Sequence, residues 1–106
     1  MIRTVLTLRA APERVEEILD FYRREQILQE SLDLTRALAS EISVAADGSG
    51  EVIVTALWPD ERAYQEWLDH PARERTGPAL RELLEGVEVG AGKVFEIDHG
   101  VSKHDA

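Results

Sequence analysis

Tyr64, Trp67 and His70 stand three residues apart in one stretch of the chain, and their side chains are the best equipped to handle a small organic molecule. Residues at i and i+3 share a helix face, so Ala63, Tyr64, Trp67 and Pro71 make one largely aromatic stripe. An aromatic face laid against a sheet can hold a flat phenolic or polyketide-like ligand, which the phenol O–H and the indole N–H then orient. The competing role for both rings is plain core packing. Trp58, at the end of an apolar segment, either seals such a pocket or caps the core. Tyr22, on an earlier helix, is placed to reach the same cavity, with core packing as its alternative. His70 offers an imidazole able to take a proton from a phenol or an acidic C–H near neutral pH. Its other role is a helix-end histidine favoured by the dipole. Asp69 makes no dyad with it, because adjacent helical residues do not face each other. The expected site is therefore a pocket of Trp67, Tyr64, Tyr22 and Trp58, with His70 or Tyr64 taking the proton.

Other chemistries are excluded or weak. The chain has no Cys, so disulfides, thiolate metal sites and a Cys nucleophile are absent. Asp98, His99, His104 and Asp105 follow no metal-ligand spacing, and no metal site is expected there. Arg3 and Arg9 suit salt bridges better than an acidic ligand. Gly48-Ser49-Gly50 leads into a strand and not a helix, so it is no phosphate loop. No cofactor is implied.

The elements that must carry these residues follow from periodicity. Ile2 to Leu8 alternates as a strand with apolar residues on both faces. Pro12 suits the first turn of a helix expected to run to about Glu30, with Val15, Ile18, Leu19 and Tyr22 in its stripe. Leu38 to Ala45 alternates again. Ala46-Asp47-Gly48-Ser49-Gly50 turns the chain into Glu51 to Trp58, a strand apolar on both faces. Asp60 caps the aromatic helix, and His70-Pro71 interrupts it. A short Leu-rich helix begins near Gly77-Pro78 and ends by Gly86, and Lys93 to His99 is the last expected strand. The order is β-α-β-β-α-(α)-β. Val5-x-Thr7 with Glu13-Arg14 recurs 48 residues later as Ile53-x-Thr55 with Glu61-Arg62. Two such halves form the ferredoxin-like split β-α-β arrangement, a four-stranded antiparallel sheet with helices on one face. The strands look apolar on both faces, so a second copy of the chain is expected to cover the other face.

Composition sets the surroundings. The 106 residues suit one domain, expected over 1–99 with a polar tail over 100–106. Lys and Arg number 12 against 21 Asp and Glu, a net charge of −9 that argues against nucleic acid or an anionic membrane as partner. No apolar run reaches bilayer length and the first residues lack a signal-peptide pattern, so a cytoplasmic location is expected.

The stretch from Val52 to Leu84 resembles the antibiotic biosynthesis monooxygenase superfamily, the dimeric α+β barrels. The likeness rests on a strand ending Leu57-Trp58, the turn Pro59-Asp60-Glu61, and Ala63-Tyr64-x-x-Trp67-Leu68-x-His70-Pro71 leading into a Leu-rich helix. Element order extends it over 2–99. The resemblance implies a homodimer that oxidises an aromatic or polyketide-like molecule without a cofactor, by substrate deprotonation and direct reaction with O2. Its alternatives are a cofactor-free isomerase or cyclase, or a non-catalytic binding or structural dimer of the same fold. The heme-degrading branch uses an Asn on the first strand, a Trp on the second helix and a His ten residues beyond. Trp67 fits, but Gly77 stands at the His position and no Asn occurs near Thr4 or anywhere else, so heme degradation is not implied.

Overall fold

The computed structural model describes residues 1–103. His104 and Asp105, half of the C-terminal acid and histidine group considered above, lie outside the described residues.

Strand β1 (Ile2–Arg9) pairs antiparallel with β3 (Glu51–Trp58) along its whole length, from Ile2 opposite Trp58 to Arg9 opposite Glu51. Strand β2 (Ala39–Val44) flanks β3 on the other side. The register places Val5 opposite Thr55 and Thr7 opposite Ile53, so the residues of the internal echo face each other across the central pair. Between β1 and β2 come a 3-10 turn at Pro12–Arg14, helix α1 (Val15–Arg24) and helix α2 (Ile27–Leu34). After β3 come α3 (Glu61–Leu68), a 3-10 turn at Pro71–Arg75 and α4 (Gly77–Leu83). The result is α+β and ferredoxin-like, with the strand order β2-β3-β1 and the last strand on the free edge of β1.

Two elements differ from expectation. The first helix does not run unbroken to Glu30. Gln26 adopts a left-handed backbone with φ 54°, and the chain restarts as α2. Arg75 braces this break, donating from Nε to Glu30 at 2.8 Å, and from Nη1 to a Glu25 carboxylate oxygen at 3.1 Å. The last strand is likewise shorter than Lys93 to His99. It is β5 (Lys93–Glu96), and a two-residue strand β4 (Glu88–Val89), absent from the expectation, precedes it; both lie on β1, with Gly90-Ala91-Gly92 between them. Past Glu96 the ladder keeps one further bond, Ile97 N–H to Met1 O at 3.1 Å, because β1 has no residue left to pair.

The alternation of β1 and β3 decides which residues meet the helices. Ile2, Leu8, Val52 and Trp58 are buried on the inner face. The inner face carries two apolar clusters and not one. Leu8 and Val52 pack with Ile18, Phe21, Tyr22 and Ile27, while Ile2 and Trp58 pack with Ala63. Between them runs a cross-strand row of short side chains, Ser40 opposite Ala56 opposite Thr4. Short residues there cannot fill the space beneath the helices, and the core is divided. The outer face, with Val5, Ile53, Leu57 and Phe95, contributes to neither cluster, and the Phe95 ring is half exposed.

One glycine is fixed by close approach. Gly50 has φ +91°, and a Cβ there would lie 2.0 Å from the carbonyl oxygen of Ala10. Its own carbonyl accepts the Ala10 N–H at 3.1 Å, tying the hairpin to the end of β1.

Candidate functional site

The divided core leaves a cavity of about 330 Å3 between the sheet and the helices. That lies at the lower end of small-molecule sites, roughly 300–1,000 Å3. Its floor is the row Thr4, Ala56 and Ser40 with Leu6 and Val54, and its walls include Tyr22, Trp58, Tyr64 and Trp67. The four aromatic residues expected from the sequence therefore do converge.

Each ring is positioned by its element. Trp58 closes β3 facing inward and is 2% exposed, and its indole N–H donates to Thr4 Oγ1 at 2.9 Å. The Tyr64 ring leans on it, centroids 5.5 Å apart and tilted by 54°. The Asp60 carboxylate accepts the Ala63 N–H at 2.8 Å and so starts α3, while Ala63, wholly buried, lets the helix sit close to the sheet. These two contacts set the rotation that turns Tyr64 and Trp67 toward the hollow. Tyr64 also needs the glycine break in the last strand, since a Cβ at Gly92 would come within 2.9 Å of its hydroxyl.

Tyr22 is buried on α1, and its hydroxyl has no hydrogen-bond partner among the described residues. Burial pushes its pKa above the ordinary phenol value, and the nearby positive charge of Arg73 opposes that shift only in part. The neutral phenol is thus a hydrogen-bond donor kept ready in the wall.

His70 is placed differently. It does not line the cavity. Its Nδ1 accepts the Ala72 N–H at 3.1 Å and caps the 3-10 turn that Pro71 begins, and its ring centroid lies 6.1 Å from that of Trp67. Arg9 pairs with Glu51 at 3.2 Å on the surface, and Arg3 is exposed on the outer face. Among the described residues no group of three acidic or histidine side chains is arranged for a metal.

The cavity also contains residues that periodicity did not single out. Thr76, buried at the start of α4, and Arg73, in the 3-10 turn, both line it. The Arg73 guanidinium sits 5.8 Å from the Trp67 ring centroid, and its Nη1 donates to Leu68 O at 3.0 Å. Pro71 gave the only hint in the sequence that the chain turns back there.

The architecture has many solved counterparts. A candidate antibiotic biosynthesis monooxygenase from Deinococcus radiodurans superposes with a TM-score of 0.75 at 19% identity, over 98% of this chain and 99% of that one. This chain has the antibiotic biosynthesis monooxygenase fold. A monooxygenase from the Streptomyces coelicolor gene ActVA-Orf6, solved with nanaomycin D, gives 0.74 at 16% identity, over 97% of this chain and 92% of its own. SnoaB, a cofactor-independent oxygenase from Streptomyces nogalater, gives 0.69 at 16%, over 96% and 97%. No protein-family model matches the sequence, and no curated protein matches it significantly.

Proposed function

We propose that the cavity binds a flat aromatic or polyketide-like molecule and supports its oxidation by O2 without a cofactor, in a cytoplasmic homodimer. The observation that carries this reading is the hollow itself. It has aromatic walls, and free phenol groups line a space that a packed ferredoxin-like core would fill. The oxygenases that share the fold support it, one of them holding nanaomycin D.

The chemistry asks little of the protein. An anthrone or phenol loses a proton, and its electron-rich anion reduces O2. The resulting carbon-bound peroxide loses water and leaves a quinone. One O2 is consumed per substrate, one oxygen atom ends in the product and the other in water. Tyr22, held protonated, donates to the developing oxyanion. Tyr64, which lines the cavity beside Gly92, takes the proton in its phenolate form and then releases it to solvent.

A second reading has its own support. Among the described residues no Asp, Glu, His or Lys lines the cavity, so the general bases most often used are missing, as a non-catalytic binding protein would allow. Oxygen uptake with 1,8-dihydroxyanthrone separates the two. The oxygenase reading expects uptake above autoxidation, equal to the anthrone consumed, unaffected by chelators and strongly reduced in Tyr64→Phe. Uptake no faster than background with folded protein hands the cavity to binding alone.

A further inference from the structure

The charge of the cavity is opposite to the charge of the protein. The chain carries 21 carboxylates and a net charge of −9, yet among the described residues no carboxylate lines the hollow. The one ionised group that does is the Arg73 guanidinium. Arg9, Arg14, Arg23, Arg24, Arg36 and Arg75 each have an acidic side chain within ion-pair distance, whereas Arg73, like Arg3, Arg62 and Arg81, has none among the described residues, and of these four Arg73 alone lines the cavity.

Arg73 is nonetheless held in place. Its Nη1 is fixed on Leu68 O, and its plane lies near the Trp67 ring, which favours a cation on its face. Its Nε and Nη2 have no acceptor among the described residues. The residue is exposed, so it stands at the mouth and not in the depth of the cavity. Inside, Tyr22 and Thr76 present hydroxyls without partners among the described residues. A planar guanidinium with two free donors matches a carboxylate or a similar delocalised oxyanion.

We infer that this site selects an anionic aromatic ligand, its rings in the hollow among Trp58, Tyr64 and Trp67 and its carboxylate or equivalent oxyanion at the mouth on Arg73. The inference rests on the proposed binding of an aromatic molecule, and it names the class of that molecule. In a protein this acidic an anion is repelled from most of the surface, so one unpaired cation at the cavity mouth decides what enters.

The test uses 2-naphthoate and its neutral isostere 2-naphthamide, titrated calorimetrically into the intact protein at pH 8 in low salt. Naphthoate is expected to bind about tenfold or more tightly than naphthamide, the size of effect a charge-assisted hydrogen bond produces. Added salt should weaken naphthoate binding alone. Arg73→Gln should bring the two affinities together without changing that for naphthamide, while Arg62→Gln, an equal change of net charge on α3 away from the cavity, should leave the preference intact. Naphthamide binding as well as naphthoate, or a preference that survives Arg73→Gln, overturns the charge selection and leaves the aromatic site standing. If neither compound binds, the aromatic site falls with it. Loss of the charge preference alone leaves the oxygenase reading standing, because neither probe is oxidised; only the failure of both compounds to bind removes the site on which that reading depends.

Discussion

The indole N–H of Trp58 donates to the hydroxyl of Thr4 at 2.9 Å, two pairs along the β1–β3 ladder and wholly inside the protein. This bond lets a short side chain on β1 hold the largest ring of the core at one end of the cavity. Thr4→Val keeps the shape and removes the acceptor, leaving a buried N–H unpaired. The expected cost is about 1–3 kcal/mol in chemical denaturation. Trp58→Ala should cost more, about 3–5 kcal/mol, since it empties a fully buried site.

Ala56 marks the middle of the row that keeps the core divided. Its neighbours Ser40 and Thr4 are no larger than a valine, and that row forms the cavity floor. Ala56→Leu should fill the hollow from below. Calorimetry should show 2-naphthoate binding reduced at least about tenfold, whereas stability should change by only about 1 kcal/mol, because the added methyl groups enter existing space. An unchanged affinity would place the ligand elsewhere.

Much of this arrangement is legible in the sequence, for identifiable reasons. Strand β3 runs from Glu51 to Trp58 as expected, because a segment apolar on both faces between a glycine turn and Pro59 has no other stable role. Tyr64 and Trp67 share a wall because Asp60 starts the helix and Ala63 lets it approach. Gln26 is different. A left-handed glutamine carries no local signal, and the break is held by Arg75 reaching 45 and 50 residues back to Glu30 and Glu25. Strand β4 and the Gly90-Ala91-Gly92 break after it are not expected from periodicity, because two residues are too few to alternate and the purpose of the break, room for the Tyr64 hydroxyl, depends on a contact between distant elements. Arg73 escapes any periodic reading because it sits in a turn and acts by reach.

Tyr22 links stability to alkaline pH. Its folded pKa is raised, first by burial, above the ordinary value of 10.0, so the native state holds this proton more tightly than the unfolded chain does. Stability is therefore constant with respect to this group below pH 10 and falls as pH rises from there through the folded value. Tyr22→Phe should flatten that alkaline loss relative to the wild type. Urea midpoints measured between pH 8 and pH 11 read the difference directly.

His70 spends its Nδ1 on the Ala72 N–H and lines no part of the cavity. His70→Gln should therefore leave oxygen uptake within about twofold of wild type and leave the shape of its pH profile intact. The replacement should lower stability by roughly 0.5–2 kcal/mol, the usual worth of a helix cap. A large fall in uptake, with a lost inflection near neutral pH, would return the imidazole to the reaction.

The outer face of the sheet makes the last demand. Val5, Ile53 and Leu57 share the outer face with the half-exposed Phe95, and all the helices pack on the other side. An apolar sheet face of this extent is costly in water, and a self-complementary partner is its economical cover. Sedimentation at micromolar concentration should give twice the monomer mass. Ile53→Asp places a charge at the centre of that face, on the side away from the cavity. It should shift the protein toward monomer, weakening association by about 3 kcal/mol or more if the charge would otherwise be buried unpaired. Far-ultraviolet circular dichroism separates dissociation from unfolding in the same sample. A wild type that sediments as a monomer would leave the face to some other occupant, and a dimer untouched by Ile53→Asp would move the interface to another surface.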